Sequence, residues 1–250
     1  MKPTLRKAAN NLLEALFPSY CCFCSRFCEG PLPLCADCRA ALPANREACS
    51  RCALPLPPVS RDPGTDGGRH CGTCLQHPPP FDRVIAPWIY DAHFAHLIGR
   101  WKFNRQQVLT SLLAQLWVDE VAGLEPVDLL VPVPLHWRRL WQRGFNQATL
   151  LAAGIRERVP LPRGCPIATR GVRRRHATPP QSGSTADQRK RNLRAAFTVD
   201  RPCDNLRVAI VDDVVTTAAT ASALATALRA AGAARVEVWC LARTPAPGGA

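Results

Sequence analysis

The chain has 250 residues, 47% of them hydrophobic, with a formal net charge of +13 and a pI near 9.6. This hydrophobic content supports a packed core and excludes global disorder, and no apolar stretch reaches the roughly 20 residues that a membrane-spanning helix needs. The excess of basic residues favours polyanionic partners, such as nucleic acid or phosphorylated small molecules. Arginines scattered for solubility alone would give the same total.

The first 17 residues predict a short amphipathic lead-in helix. Their basic start is followed by an apolar stretch that Glu14 interrupts, without a small-residue cleavage site, so a secretory signal is not indicated. We therefore expect a cytoplasmic protein whose cysteines stay reduced.

The cysteines concentrate near the start of the chain, where eight of the 13 form four CxxC pairs before residue 75. A CxxC turn directs two thiolates to one side, and two such turns complete a tetrahedral zinc site. The connecting segments are rich in Pro and Gly, so the metal would replace a missing core. A thioredoxin-like redox pair, the alternative, usually stands alone beside a βαβ unit. We predict two structural zinc sites and prefer sequential pairing to a cross-braced arrangement, because it needs only short loops. The predicted ligands are Cys21, Cys24, Cys35 and Cys38, then Cys49, Cys52, Cys71 and Cys74.

After residues 77–82 the sequence alternates between apolar strands and amphipathic helices, which predicts a parallel α/β sheet flanked by helices. The predicted strands are 83–90, 127–134, 206–213 and 235–241, and the predicted helices are 94–103, 106–123, 146–159 and 220–232, the last closed by Gly232. A polar, basic stretch at 163–192 predicts a mobile loop. The resulting domains are a lead-in helix at 1–17, a double zinc-ribbon module at 18–78 and the α/β domain at 83–245.

Two adjacent acids, Asp212 and Asp213, lie at the carboxyl end of a predicted strand. Ligands bind beyond this end of the strands in open parallel sheets, and paired carboxylates there can accept hydrogen bonds from a sugar diol or help to hold Mg²⁺. The following loop, Thr216 to Thr220, offers hydroxyls and backbone N–H groups at a helix N-terminus, which suits a phosphate. Together these features predict a site for a ribose 5-phosphate.

This segment, "VAIVDDVVTTAAT", resembles the phosphoribosyl-pyrophosphate (PRPP) signature of type I phosphoribosyltransferases. With the CxxC array, "HCGTCLQHPPPFDRV", "VPVPLHWRRLWQRGFNQA", "TPPQ…RKRNLRAAF" and "VEVWCLART", the chain is similar to the ComF/GntX family over about residues 18–243. The resemblance implies a zinc-finger module joined to a type I phosphoribosyltransferase-like domain, and a role in DNA uptake, natural transformation or the use of DNA as a nutrient. Other DNA-uptake proteins are then expected partners.

The resemblance also implies roles for individual residues. Asp212 and Asp213 match the acidic pair, and Arg143 matches a segment near the pyrophosphate. The matching PRPP and phosphate-binding segment is Asp212, Asp213, Val214, Val215, Thr216, Thr217, Ala218, Ala219 and Thr220. The matching mobile-loop positions are Thr178, Gln181, Arg189 and Asn192.

The chain departs from the family pattern at two places. Ala218-Ala219 stands where members usually carry Gly-Ser or Gly-Ala, and Ser184-Thr185 stands where Leu-Ser is usual. If position 218 requires a positive φ, alanine there costs on the order of 1 kcal/mol, which glycine avoids.

The stretch "HWRRLWQRGF" interleaves Trp137, Trp141 and Phe145 with arginines. Exposed aromatic side chains and a basic track are typical of proteins that hold single-stranded nucleic acid, whereas tryptophans in a helical stretch also pack in cores. The candidate nucleic-acid residues are Trp137, Arg138, Arg139, Trp141, Arg143, Arg173, Arg174 and Arg175.

Three functions are compatible with these motifs. The first is an accessory factor in DNA uptake that binds single-stranded DNA and a ribose phosphate such as PRPP. The second is an active, Mg²⁺-dependent phosphoribosyltransferase acting on an unknown acceptor, and the third is a zinc-ribbon scaffold that docks proteins. The first is favoured, because position 218 lacks glycine and no base-specificity segment is recognisable.

Overall fold

A computed structural model describes residues 19–28, 32–58, 69–103, 109–135, 137–162, 164–174 and 196–246. The predicted lead-in helix at 1–17 and residues 175–192 of the predicted loop lie outside these ranges. The described strands, in chain order, are β1 (Ser19–Tyr20), β2 (Phe27–Cys28), β3 (Arg83–Ile85), β4 (Trp88–Ile89), β5 (Leu129–Pro132), β6 (Val172–Arg174), β7 (Phe197–Val199), β8 (Arg207–Val215) and β9 (Arg235–Arg243). The described helices are α1 (Ala36–Ala40), α2 (Gly72–Gln76), α3 (Ala92–Phe103), α4 (Leu109–Glu120), α5 (Trp137–Arg143), α6 (Gln147–Arg156) and α7 (Ala219–Ala230).

The chain divides into two compact units between Leu42 and Pro43. In the first unit, β1 and β2 pair as an antiparallel ribbon, and the short helix α1 begins after Cys35, whose sulfur accepts from the Cys38 N–H at 3.5 Å. This unit holds the first group of CxxC cysteines.

The second unit is built on a parallel sheet with the strand order β3-β9-β8-β5, and β4 also pairs with β9. The single strand predicted at 83–90 is divided into β3 and β4 around Pro87, which cannot donate to a ladder. The register is nevertheless continuous, since Ile85 pairs with Trp239 and Trp88 with Ala242.

Helices cover both faces of this sheet. On one face, α7 shares a core with alternate residues of the strands, such as Val208 and Ile210. On the other face, the Trp117 ring of α4 packs against Trp239 with ring centroids 5.3 Å apart. The predicted fold class is confirmed as a parallel α/β sheet flanked by helices and preceded in the sequence by a cysteine-rich module.

The C-terminal end of α7 has the predicted glycine cap. Gly232 has φ +97°, its N–H bonds the Arg229 carbonyl, and the Ala233 N–H bonds the Leu228 carbonyl. This pair of bonds is the Schellman motif, in which glycine accepts the left-handed conformation without steric cost.

Strands β6 and β7 form an antiparallel ribbon. β6 lies inside the segment 163–192 for which a loop was predicted, and β7 follows that segment. Residues 172–174 are therefore strand rather than loop, so the prediction was wrong there. Each strand is three residues long, which is too short to produce a detectable alternation of apolar and polar residues.

The second group of CxxC cysteines belongs to the same unit as the sheet. The Val84 N–H donates to the Arg51 carbonyl at 2.8 Å and the Asn45 N–H to the Pro87 carbonyl at 2.7 Å. Residues 43–58 are thus hydrogen-bonded to the edge strands. The domain division at residues 78–83 stays a prediction.

Candidate functional site

Two clusters of four cysteines are present, and their membership is the sequential pairing predicted above. In each cluster the four sulfurs lie within 4.8 Å of one another. The Cys24 and Cys35 sulfurs are 3.7 Å apart and the Cys52 and Cys71 sulfurs 3.6 Å apart, close to the edge of about 3.8 Å of a tetrahedron with zinc–sulfur bonds of about 2.3 Å. Four thiolates leave no open position, so the clusters fit structural zinc.

Backbone N–H groups surround one cysteine of each cluster. Burial acts to raise the pKa of Cys49, but nearby N–H donors outweigh it and lower that pKa to about 7. One donor is the Cys71 N–H, 3.3 Å from the Cys49 sulfur. The same balance lowers the pKa of Cys21 to about 6. Both effects favour the thiolate, the form that binds zinc.

The acidic pair lies near the carboxyl end of β8, which continues two residues beyond the predicted strand. The Asp213 carboxylate pairs with the Lys102 ammonium at 2.6 Å, and both side chains are more than four-fifths buried. Lys102 lies in the last turn of helix α3. At the other end of this helix, the Asp91 carboxylate accepts a hydrogen bond from the Phe94 N–H at 2.7 Å.

The two acids differ in their electrostatic surroundings. Burial, and then the negative charge of Asp213, raise the pKa of Asp212 to about 7, although Lys102 and Arg174 act in the opposite direction. One carboxylate is thus neutralised by an ion pair and the other is readily protonated. Such a pair can accept hydrogen bonds from adjacent sugar hydroxyls, and its oxygens are ligands that Mg²⁺ prefers.

The loop after β8 turns sharply into α7 at Ala218. This residue has φ 60° and ψ 5°, in the left-handed region, and occupies the N-cap of α7. Its methyl group cannot accept a hydrogen bond, whereas most helices begin with a side-chain acceptor for the free N–H groups of the first turn. The Ala219 N–H donates to the Thr217 hydroxyl at 3.4 Å. A helix start without a side-chain cap is the kind of position at which anions bind in proteins.

A buried arginine lies against this loop. Arg243, 5% exposed, donates to the Val215 carbonyl at 3.2 Å and also to the Thr216 carbonyl. Its guanidinium adds a positive charge next to the loop, in surroundings where charges are weakly screened.

The "RGFNQ" segment, at residues 143–147, is connected to the acidic pair through a buried amide. Arg143 donates to the Gln147 side chain at 3.2 Å, and Gln147, 1% exposed, is 3.5 Å from the Lys102 carbonyl. Asn146 caps α6 by accepting from the Ala148 N–H at 3.0 Å.

Helix α5 carries the predicted aromatic surface. Trp137 and Trp141 are 60% and 85% exposed and are four residues apart, so they lie on one helix face. The alternative that they pack in the core is therefore wrong. Phe145, which was grouped with them, is buried. The side chains of Arg138 and Arg139 lie outside the described part of the structure.

The β6–β7 ribbon separates two of the candidate arginines. Arg173 is exposed and 4.0 Å from Asp200, whereas Arg174 lies over the Phe197 ring at 5.6 Å and influences the pKa of Asp212. Successive strand residues point to opposite faces, so the Arg173 and Arg174 side chains lie on opposite faces of the ribbon. The remaining candidates, Arg175, Thr178, Gln181, Arg189 and Asn192, lie outside the described residues.

Lys102 and Arg243 were not among the predicted site residues. The lysines of this arginine-rich chain are Lys2, Lys7, Lys102 and Lys190. A lysine is therefore rare in this chain, and its presence in a predicted helix could have pointed to Lys102. Arg243 is the last residue of the apolar strand β9, and its contacts with Cys52 and Val215 are with distant residues, for which the sequence carries no local signal.

Among the described residues, no helix combines the length and apolarity needed to cross a membrane.

Comparison with known proteins places these features in a family. A family model described as a double zinc ribbon domain matches residues 12–76. The chain is 37% identical over 228 residues to the DNA utilization protein YhgH of Salmonella typhimurium and 38% identical over 230 residues to that of Escherichia coli K12, in each case covering 87% of this chain and 95% of the relative.

A further relative is the Competence protein F of Haemophilus influenzae, 34% identical over 184 residues, which covers 70% of this chain and 79% of the relative. A solved structure titled as the allosteric regulatory enzyme of purine biosynthesis aligns with a TM-score of 0.34 at 22% identity, over 54% of this chain and 25% of that one. With relatives this similar along most of its length, two four-cysteine clusters and the acidic pair on a parallel sheet, the chain belongs to the ComF/GntX family.

Proposed function

We propose that the chain binds a ribose 5-phosphate compound, PRPP together with Mg²⁺, at Asp212, Asp213 and the loop from Thr216 to Thr220. The observation that carries this proposal is the start of α7, where an alanine N-cap leaves N–H donors next to a carboxylate pair. A phosphate would accept from these donors and complete the cap. The carboxylates would accept from the ribose hydroxyls, and their oxygens suit Mg²⁺.

The same protein would act in DNA uptake or in the use of DNA as a nutrient. The names of the relatives, DNA utilization protein and Competence protein F, support this role. The exposed pair of Trp137 and Trp141 on α5 supports single-stranded DNA as the ligand, since bases stack on exposed aromatic side chains with little sequence preference. Other DNA-uptake proteins would be partners. A cytoplasmic location suits eight zinc-binding thiols, which a reducing compartment protects.

The ribose-phosphate proposal is tested by calorimetric titration of zinc-loaded protein with PRPP and Mg²⁺. We expect saturable binding by the wild type and its loss in the double variant Asp212→Asn/Asp213→Asn, which removes both negative charges. Asp119→Asn changes an exposed acid on α4 and should bind as the wild type does. Failure of the wild type to bind would contradict the proposal.

The DNA proposal is tested by fluorescence anisotropy with a labelled single strand over a series of salt concentrations. Trp137→Ala/Trp141→Ala should weaken binding about tenfold or more, through lost stacking, while the slope of affinity against salt stays the same because phosphate contacts are kept. Leu75→Ala, which removes another exposed apolar side chain (68% exposed), is the matched control. Equal binding by both variants would exclude α5 as the contact.

An active phosphoribosyltransferase is the second candidate. The contacts from Arg143 through Gln147 to the Lys102 backbone favour it, because they connect the segment that the family resemblance assigns to pyrophosphate with the acidic pair. In that reaction the bond between ribose C1 and pyrophosphate breaks, an acceptor attacks C1, and pyrophosphate leaves. Arg143, with the predicted loop residues, would stabilise its negative charge. Pyrophosphate release from PRPP in the presence of candidate acceptors, lost in Arg143→Met, would support this function.

A further inference from the structure

One end of the buried Arg243 side chain contacts the second cysteine cluster. Its Nε donates to the carbonyl of Cys52 at 3.0 Å, and Cys52 is itself a member of that cluster. Its Nη1 donates to the carbonyls of Val215, Thr216 and Thr244. A single side chain thus joins the backbone of a cysteine turn to the backbone that enters the phosphate loop.

This bridge has the geometry of a rigid support. A guanidinium presents its donors in a fixed planar fork, and this fork is surrounded by carbonyl groups at 5% exposure. Within the described part of the chain its hydrogen-bond partners are carbonyls, not carboxylates. A buried polar group left without its hydrogen-bond partner is costly, so these bonds favour one mutual arrangement of the Cys52 carbonyl and the loop carbonyls.

A cavity of about 320 Å³ lies beside this bridge, between the cysteine turn and the loop. Its lining includes Cys52, Cys71 and Cys74 together with Thr216, Thr217 and Ala218. The cysteines and Val215 also belong to one hydrophobic core, with Ala218 packed against it, so Arg243 adds directional hydrogen bonds to contacts that are otherwise apolar.

We propose that Arg243 is a positioning residue through which the metal state of the second cysteine cluster sets the conformation of the phosphate loop. With the cluster loaded, Cys52 and its carbonyl are fixed, and Arg243 holds Val215 and Thr216 so that the α7 start is ready for an anion. Without the metal, the turn at Cys52 loses its constraint and the loop loses its support. The proposed PRPP site supplies the ligand for this inference, but the coupling itself concerns the unliganded loop.

The experiment combines zinc analysis, hydrogen–deuterium exchange of peptides covering residues 216–222, and PRPP–Mg²⁺ titration. Arg243→Met should keep two zinc ions per chain, exchange faster in the loop and bind PRPP about tenfold more weakly, a coupling of ordinary size. Arg243→Lys, which keeps the charge without the fork, should fall between. Arg235→Met, at the opposite end of β9, is the control for general loss of an arginine.

A pair of cysteine variants tests the metal directly. Cys52→Ser should lose one zinc ion and reproduce the loop exchange of Arg243→Met, whereas Cys24→Ser should lose one zinc ion from the first cluster and leave loop exchange unchanged. Wild-type loop exchange in a zinc-replete, folded Arg243→Met would overturn the proposal, as would equal effects of the two cysteine variants. If the wild type fails to bind PRPP but the exchange pattern is as expected, the proposed ligand is wrong and the coupling stands.

Discussion

Asp212 and Asp213 are neighbours in sequence, but their carboxylates lie in different electrostatic surroundings. Lys102 neutralises Asp213 at 2.6 Å, whereas burial and the charge of its neighbour raise the pKa of Asp212 to about 7. An unfolded aspartic acid titrates near pH 4. Between these two values the folded protein therefore holds a proton that the unfolded chain has released, so this group lowers the free energy of unfolding as pH rises from about 4 to about 7.

Asp212→Asn removes this titration and should stabilise the protein relative to wild type, more at pH 8 than at pH 5. The gain over that interval should be about 2 kcal/mol, allowing for residual solvent contact, and should level off above pH 7. Urea unfolding of the unliganded, zinc-loaded proteins at both pH values measures it, with Asp119→Asn as control. Parallel pH dependences for Asp212→Asn and wild type would exclude a raised pKa.

One of the two departures from the family pattern lies at the start of α7. Ala218 has a left-handed backbone with φ 60°, which is the condition under which alanine was predicted to be costly. The departure is therefore a strained residue at the point where the loop turns into the helix. Strain of this kind is often retained at functional sites.

Ala218→Gly should relieve this strain. The left-handed conformation costs an L-residue about 1–2 kcal/mol, and the greater freedom of glycine in the unfolded chain removes part of that gain, so we expect a net stabilisation of about 0.5 kcal/mol. Ala227→Gly, inside the same helix, should instead cost about 1 kcal/mol. Thermal or urea unfolding compares the two, and equal destabilisation by both changes would mean that residue 218 is not left-handed in solution.

Elements with a long, regular pattern were predictable from the sequence, and short ones were not. Helices α3, α4, α6 and α7 and strands β5, β8 and β9 were found within a few residues of their bounds. In the helices the apolar spacing repeats over several turns, and the strands lie in apolar runs of strand length. The β6–β7 ribbon has no such repeat. The apolar composition of residues 83–90 predicted one strand, whereas the structure has two strands, β3 and β4, separated at Pro87.

At the scale of the whole molecule, the two cysteine clusters occupy different surroundings. In the second cluster all four residues are buried, with Cys49 at 2% exposure, whereas Cys24 of the first is exposed. The second cluster also shares the hydrophobic core that packs under α7. Thiol reagents reach exposed sulfur first, so the two metals should differ in lability.

Titration with an organomercurial in the presence of a zinc-sensitive dye should release zinc in two phases, one equivalent quickly and the second only as the larger unit unfolds. Cys24→Ser should abolish the fast phase and leave the slow one. A single phase in the wild type, or a surviving fast phase in Cys24→Ser, would contradict the assignment.

The long-range contacts of the site were the least predictable part of the molecule. Asp212 and Asp213 were found because they are adjacent in a recognisable motif. Lys102 meets Asp213 only after α3 has packed beside β8, and Arg243 meets Cys52 across 191 residues. Such pairs depend on the tertiary structure and leave no spacing in the sequence.

The hydrogen bonds from Val84 to Arg51 and from Asn45 to Pro87 have a consequence for protein engineering. The double zinc ribbon matched by the family model, residues 12–76, extends into both compact units. Its second half is hydrogen-bonded to the edge of the sheet in the larger unit. A chimera that exchanges the whole ribbon would cut through these bonds, whereas one joined between Leu42 and Pro43 would leave them intact. The segment that the family model matches, residues 12–76, and the compact unit that ends at Leu42 are therefore different pieces of this chain.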